Sequence, residues 1–276
     1  MIEFHADDYG MTIKQSKRII ECIDNGVLNG ISLMPNSPNL DECMNLLQNR
    51  DVKIAIHFNF CEGKCLSEEK IIAKSGNFEP NFIKLLLVSY IPFKRKKYKN
   101  AFKKEIEKQI EAVSKYYTNK PYRIDSHCHY HMLPVIFDAL MEVIEEKKMD
   151  VEYIRIPIEK KLKIKPKNVP FVNRIKNLIL KILYKRDKFK NKKLIKYGNQ
   201  EFLGILFSGH MFYESVNVML QNKLDNIEIL FHPGAIYEKE DMDIITNKFD
   251  LEFLTSPNRQ KEGEATIKIK NDLEKM

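Results

Sequence analysis

Cysteine is scarce in this chain and irregularly placed, with five residues at positions 22, 43, 61, 65 and 128 of 276. An odd number without regular spacing excludes a disulfide framework, and Cys61 and Cys65 have no second pair to complete a zinc knuckle. Reduced thiols in a cytoplasmic protein are the expectation. Long apolar runs are missing too: the best candidate, 175–184, is short and broken by Lys176, Asn177 and Lys181. No spanning helix is therefore predicted, since a crossing needs about 20 mostly apolar residues. The first residues, Met1-Ile2-Glu3-Phe4, show no basic stretch followed by a long apolar one, so no export signal is expected. No internal repeat is found, and no helix-turn-helix, RNP or zinc-finger pattern accompanies the basic charge, which argues against nucleic acid.

The net charge of +8 is unevenly spread. Residues 159–196 hold fifteen Lys/Arg against two acids, more than the whole surplus. This segment, about 159–200, reads as a Lys-rich insertion that is simply solvated, or that attracts anionic substrate or membrane head groups by peripheral contact. Within it, Ile175, Leu178, Ile179 and Ile182 form an apolar stripe on a predicted helix, read as a flap near the site. The whole chain, at 43% hydrophobic, suffices for one catalytic domain over 1–276.

Short β-rich runs alternate with amphipathic helices, which predicts an α/β fold of βα units around mainly parallel strands. Expected strands are 2–6, 27–34, 53–60, 122–125, 151–156 and 227–231. Expected helices include 13–25 after the Thr12 cap, 40–47, 102–117, one starting at Pro134, and 214–224. Residues 61–81 read as loop. The consequence is geometric: Asp7-Asp8, His57, His127 and His232 each follow a strand, and residues past the carboxyl ends of parallel strands converge on one face.

The residue types found there are those of a metal-dependent hydrolase. A carboxylate with two imidazoles holds a divalent cation and leaves positions open, while a second carboxylate can take a proton. Asp7-Asp8 alone could be a turn or helix cap, and His57 alone a core histidine. The run Asp125-Ser126-His127-Cys128-His129-Tyr130-His131 is harder to dismiss, with three of the chain's seven histidines in five positions. If extended, it would place all three rings on one side. Two adjacent aspartates diverge on an extended backbone, so one can bind metal and the other contact water. His232 in Phe231-His232-Pro233-Gly234 is a candidate to protonate a leaving amine.

Four motifs, Ala6-Asp7-Asp8-Tyr9-Gly10, Ile54-Ala55-Ile56-His57-Phe58-Asn59, the 125–134 histidine run and Phe231-His232-Pro233-Gly234, resemble in identity and order those of the YdjC-like carbohydrate deacetylases. The resemblance runs from the N-terminus to about residue 240. It implies a (β/α) barrel-like fold related to the polysaccharide deacetylase type, a divalent metal given as Mg2+, and hydrolysis of an N-acetyl group from an amino sugar or oligosaccharide. The Asp/His ligand set suits Zn2+ or another transition metal as well.

Carried over, Asp8, His57 and His127 are expected to bind metal, Asp7 to act as base and His232 as acid. Asp125, His129, His131, Asn59 and Arg155 are expected to support the ligands or face substrate. A homo-oligomer, a dimer, is expected. The rival readings are a metal phosphoesterase or amidohydrolase, and a non-catalytic sugar-binding protein on the same scaffold.

Overall fold

The computed structural model describes residues 1–79, 81–117, 120–243, 245 and 248–275. Among the described residues there are nine strands: β1 (Ile2–Tyr9), β2 (Gly30–Leu33), β3 (Lys53–Phe58), β4 (Ala73–Lys74), β5 (Asn77–Phe78), β6 (Tyr122–Ser126), β7 (Val151–Ile154), β8 (Glu201–Leu203) and β9 (Ile227–Phe231). β4 and β5 form a small antiparallel hairpin in the stretch expected to be loop. The other seven make one sheet in the order β7-β6-β3-β2-β1-β9-β8, every pair parallel.

Helices fill the connections as parallel strands require. Before β7 lie α1 (Ile13–Asp24), α2 (Leu40–Leu46), α3 (Phe82–Val88), α4 (Pro92–Val113) and α5 (Pro134–Glu146). After it come α6 (Phe171–Lys190), α7 (Lys193–Tyr197), α8 (Tyr213–Leu220), α9 (Lys239–Met242), α10 (Lys248–Leu254) and α11 (Pro257–Leu273). Thr12 caps α1 by accepting from the Gln15 N–H at 3.1 Å. Helix α4 begins ten residues before the expected start at 102, with Pro92 at its first position and a lysine-rich opening that hides the apolar period.

The sheet curls. Arg123 on β6 pairs with Glu3 on β1 at 2.8 Å, and the Tyr153 hydroxyl on β7 donates to Glu228 on β9 at 2.6 Å, although other strands lie between the members of each pair in the sheet. Beyond β7, the Lys160 N–H donates to the Phe202 carbonyl on β8 at 2.8 Å, joining the sheet's two edges. The result is the (β/α) barrel-like, parallel α/β architecture expected. Its interior is unusual in being charged: Glu3, His5, Arg123, Asp125, Arg155 and Glu228 are all buried there. Apolar residues pack instead between the sheet and the outer helices.

A further expectation is corrected. The histidine run is not extended: residues 127–132 wind into a 3-10 turn in which Cys128 (φ 51°) and His129 (φ 57°) are left-handed, so the three rings diverge. Helix α6 carries the expected apolar stripe, and the stripe lies on its outer face. It buries Asn173, Asn177, Leu180, Leu183 and Asp187, while Ile175, Leu178 and Ile182 point outward.

Candidate metal centre

The carboxyl end of the central strand supplies the first two groups. β1 loses regular register with β2 between Ala6 and Tyr9, and Asp8 there takes a left-handed backbone, φ 66°. That conformation is costly for a non-glycine residue and recurs at functional sites. It separates the two aspartates, which are both buried.

Asp8 turns toward the histidines. Its Oδ1 accepts from His127 Nδ1 at 2.9 Å and lies 3.5 Å from His57 Nε2, while Oδ2 accepts from Arg259 at 2.9 Å. Asp7 turns to the other side, where both its oxygens accept from Arg155 Nη1 at 2.9 and 2.8 Å. Arg155, just past β7 and fully buried, also meets Asp125 at 2.9 Å and Glu228 at 2.5 Å. One guanidinium therefore ties together β1, β6 and β9.

β3 and β6 position the imidazoles. His57 and Asp125 are directly opposite in the β3–β6 ladder, and His57 Nδ1 donates to Asp125 at 2.6 Å. Asp125 is itself held by Ser32 and Arg155. This carboxylate–imidazole pair fixes the ring and aims Nε2 away, an arrangement common behind metal-bound histidine. His57 Nε2 and His127 Nε2 are buried without a hydrogen-bond partner, as is Asp250 Oδ2, 3.5 Å from His127 Nε2.

Ligand atoms of Asp8, His57 and His127 all lie within 4.8 Å of one another. Around them, five buried carboxylates (Asp7, Asp8, Asp125, Glu228, Asp250) face two buried guanidinium groups. Positive charge is strongly favoured here. Burial opposes charge on His57, yet Asp125 and Asp7 outweigh it and raise the imidazole to about 9. Burial likewise opposes ionisation of Asp8, but Arg259 and His127 hold its carboxyl well below the usual range. A divalent cation among these three residues would give the unpartnered His57 Nε2 a partner and offset the buried negative charge, so the residues fit one.

The remaining expected residues divide. His131 is fully occupied: Nε2 donates to the Arg155 carbonyl at 2.9 Å and Nδ1 accepts from the Ser126 hydroxyl at 2.7 Å. It props Arg155 and the turn. His129 leaves the ligand group and sets its ring edge-on to Phe202, 6.3 Å between centroids. Asn59 organises its own loop, accepting from the Glu62 N–H at 3.0 Å and donating to the Glu62 carbonyl at 2.6 Å. His232 stands at the end of β9 with its ring against Phe253 at 5.2 Å. Burial pushes its imidazole down to about 4, against the pull of Asp8 and Asp7.

Three groups at the site have no mark in the sequence. Asp250 comes from α10, and Arg259 and Glu262 from α11, in helices that read as ordinary charged surface. Arg259 is fully buried against Asp8 and over the Phe253 ring at 5.3 Å. Glu262 accepts the His232 N–H at 2.6 Å and is pushed by burial up to about 7.

With this geometry in view, comparison with known proteins is decisive as to kinship. The family model described as "YdjC-like protein" matches residues 1–265. The chain belongs to the YdjC-like family. Among YdjC-like relatives, a carbohydrate deacetylase from Clostridium beijerinckii is 23% identical over 269 residues, covering 92% of this chain and 94% of the relative. A chitooligosaccharide deacetylase from Yersinia pestis is 23% identical over 261 residues, covering 92% and 90%. A crystal structure from Enterococcus faecalis, named for cellobiose-phosphate cleavage, superposes with a TM-score of 0.58 at 16% identity, covering 96% of this chain and 94% of that one. That likeness establishes that the YdjC-like chain shares its fold.

Proposed function

We propose that the protein is a metal-dependent carbohydrate deacetylase that hydrolyses the N-acetyl group of an amino sugar or oligosaccharide. The observation that carries the reading is the convergence of Asp8 with two buried imidazoles, the unpartnered Nε2 of His57 and the ring of His127, beside a second carboxylate, Asp7. Membership of a family whose relatives are named as carbohydrate and chitooligosaccharide deacetylases supports the substrate class.

Asp8, His57 and His127 would hold one divalent cation, Mg2+ or Zn2+, which when bound polarises a carbonyl and acidifies water. Asp7 takes the proton of the attacking water. Arg155 directs it, donating from one nitrogen to both of its oxygens. Asp125 positions His57 through the 2.6 Å hydrogen bond. His232, neutral at rest, delivers a proton to the departing amine, which leaves poorly as an anion. A proton must first reach His232, and Glu262, 4.0 Å from its Nδ1, is placed to share one.

The test is acetate release from a panel of N-acetylated sugars, run on metal-loaded protein and after chelation. Release should require metal and disappear in His57→Ala together with bound metal. If folded, metal-loaded protein frees acetate from no member of the panel, the deacetylase reading fails.

A further inference from the structure

Helix α6 has two opposed faces. At 3.6 residues per turn, its buried residues Asn173, Asn177, Leu180, Leu183 and Asp187 lie along one side, and Phe171, Ile175, Leu178, Ile182 and Phe189 fall in a narrow stripe on the opposite side. Ile175, Leu178 and Ile182 are 44%, 59% and 59% exposed. Arg174, Lys181, Lys185 and Lys188 run along one flank of that stripe, where long stems can lie on apolar surface and carry their charge outward. A solvated surface helix would place polar residues where this one places its largest apolar ones.

The stripe has an apolar neighbour. Phe82 and Leu86 of α3 pack against the cluster containing Leu180 and Leu183, and Asp138 of α5 pairs with both Arg95 of α4 and Arg186 of α6. On this side α3 and the start of α4 expose Ile83, Leu87, Tyr90, Ile91 and Phe93, followed by the exposed Lys94, Lys96 and Lys97. Of the sixteen large hydrophobic side chains exposed among the described residues, eleven belong to these two stretches, so the exposure is concentrated rather than scattered. Concentrated apolar exposure rimmed by charge marks an interaction surface.

We infer that this face docks the protein on an anionic lipid bilayer, α6 lying in the plane of the head groups with its outer stripe among the acyl chains. The charge selects the occupant. A second copy would set lysine against lysine, whereas anionic head groups neutralise the flanks of α6 and the start of α4 while the stripe is buried. No helix among the described residues is long and apolar enough to cross a membrane, so the contact is peripheral. The face borders the histidine turn, since the Phe82 ring meets the Tyr130 ring at 5.5 Å.

The experiment is co-sedimentation of the full chain with vesicles of phosphatidylglycerol and phosphatidylcholine in roughly equal amounts, against phosphatidylcholine alone. The protein should pellet with the anionic vesicles only, and less at raised salt. An Ile175→Glu, Leu178→Glu, Ile182→Glu variant should bind about tenfold more weakly or worse, with its thermal melt unchanged because these side chains are exposed. The chain has no tryptophan, so Leu178→Trp is a lone reporter whose emission should shift to the blue on anionic vesicles. Three results would each overturn the inference: no pelleting at low salt, equal binding by the triple variant, or an unshifted Leu178→Trp emission. Self-association abolished by the triple substitution without any vesicle binding would assign the face to a second copy and overturn it too.

Discussion

At the scale of single residues the site depends on how one backbone torsion separates two neighbouring carboxylates. Asp8, at φ 66°, meets the imidazoles and Arg259, while Asp7 meets Arg155. Their roles should therefore separate on substitution. Asp8→Asn should lose bound metal and activity together, whereas Asp7→Asn should keep its metal and lose about 10²-fold or more in turnover. Metal content after dialysis, measured beside acetate release, checks this; metal lost from Asp7→Asn and kept by Asp8→Asn would exchange the roles. The two aspartates were legible in the sequence because they follow an apolar strand, and so were His57 and His127. The divergence of His129 and His131 was not, because left-handed turns at Cys128 and His129 occur at residue types that give no warning, where a glycine would have. Arg259 and Asp250 were illegible for another reason: burial of a charged residue depends on a partner more than a hundred positions away.

Elements were readable where one face is apolar and the other polar. Thr12 at the head of α1 and Pro134 at the head of α5 announced their helices, and the strands leading to the proposed ligands showed as apolar runs. Helix α6 was found but its orientation was not, because it buries Asn173, Asn177 and Asp187 and exposes isoleucine and leucine. Its connection to the barrel contains a buried acid with a measurable consequence. Glu159 accepts the backbone N–H groups of Gly204, Ile205 and Leu206 at 3.1, 2.9 and 3.2 Å, pinning the loop after β8. Burial pushes its carboxyl up to about 7, more than those three donors pull it down. The folded state thus holds this proton more tightly than the unfolded chain, so the contribution to stability is present below about pH 4.5 and declines as pH rises through about 7. Glu159→Gln keeps an oxygen for the N–H groups and removes the titration. Relative to wild type, it should gain of order 1–3 kcal/mol between pH 5 and pH 8, read from denaturant melts at both. An unchanged difference between the two proteins across that range would show that Glu159 does not titrate there.

For the molecule as a whole, what stands out is a barrel centre made of charge. Parallel barrels normally fill their centres with branched apolar side chains. Here Arg155 sits fully buried with Asp7, Asp125 and Glu228 within 2.9 Å and the Phe202 ring 5.6 Å from its guanidinium carbon. The same residue holds the proposed base, the carboxylate behind His57 and a strand on the far side of the sheet, so stability and site geometry share one side chain. Removing one member of such a network strands its partners as uncompensated buried charges, which costs more than the network contributes. Arg155→Met, similar in volume, should therefore lose roughly 3–5 kcal/mol, a fall in Tm of order 10 °C for a chain of this size. Adding Glu228→Gln to Arg155→Met should recover part of that loss, because one of the three stranded carboxylates is then neutral, yet should leave turnover low because Asp7 and Asp125 still lack their anchor. Thermal melts and acetate release on the single and double variants separate the two effects. Recovery of stability and turnover in step would instead make Arg155 a folding residue only, with no part in aiming Asp7.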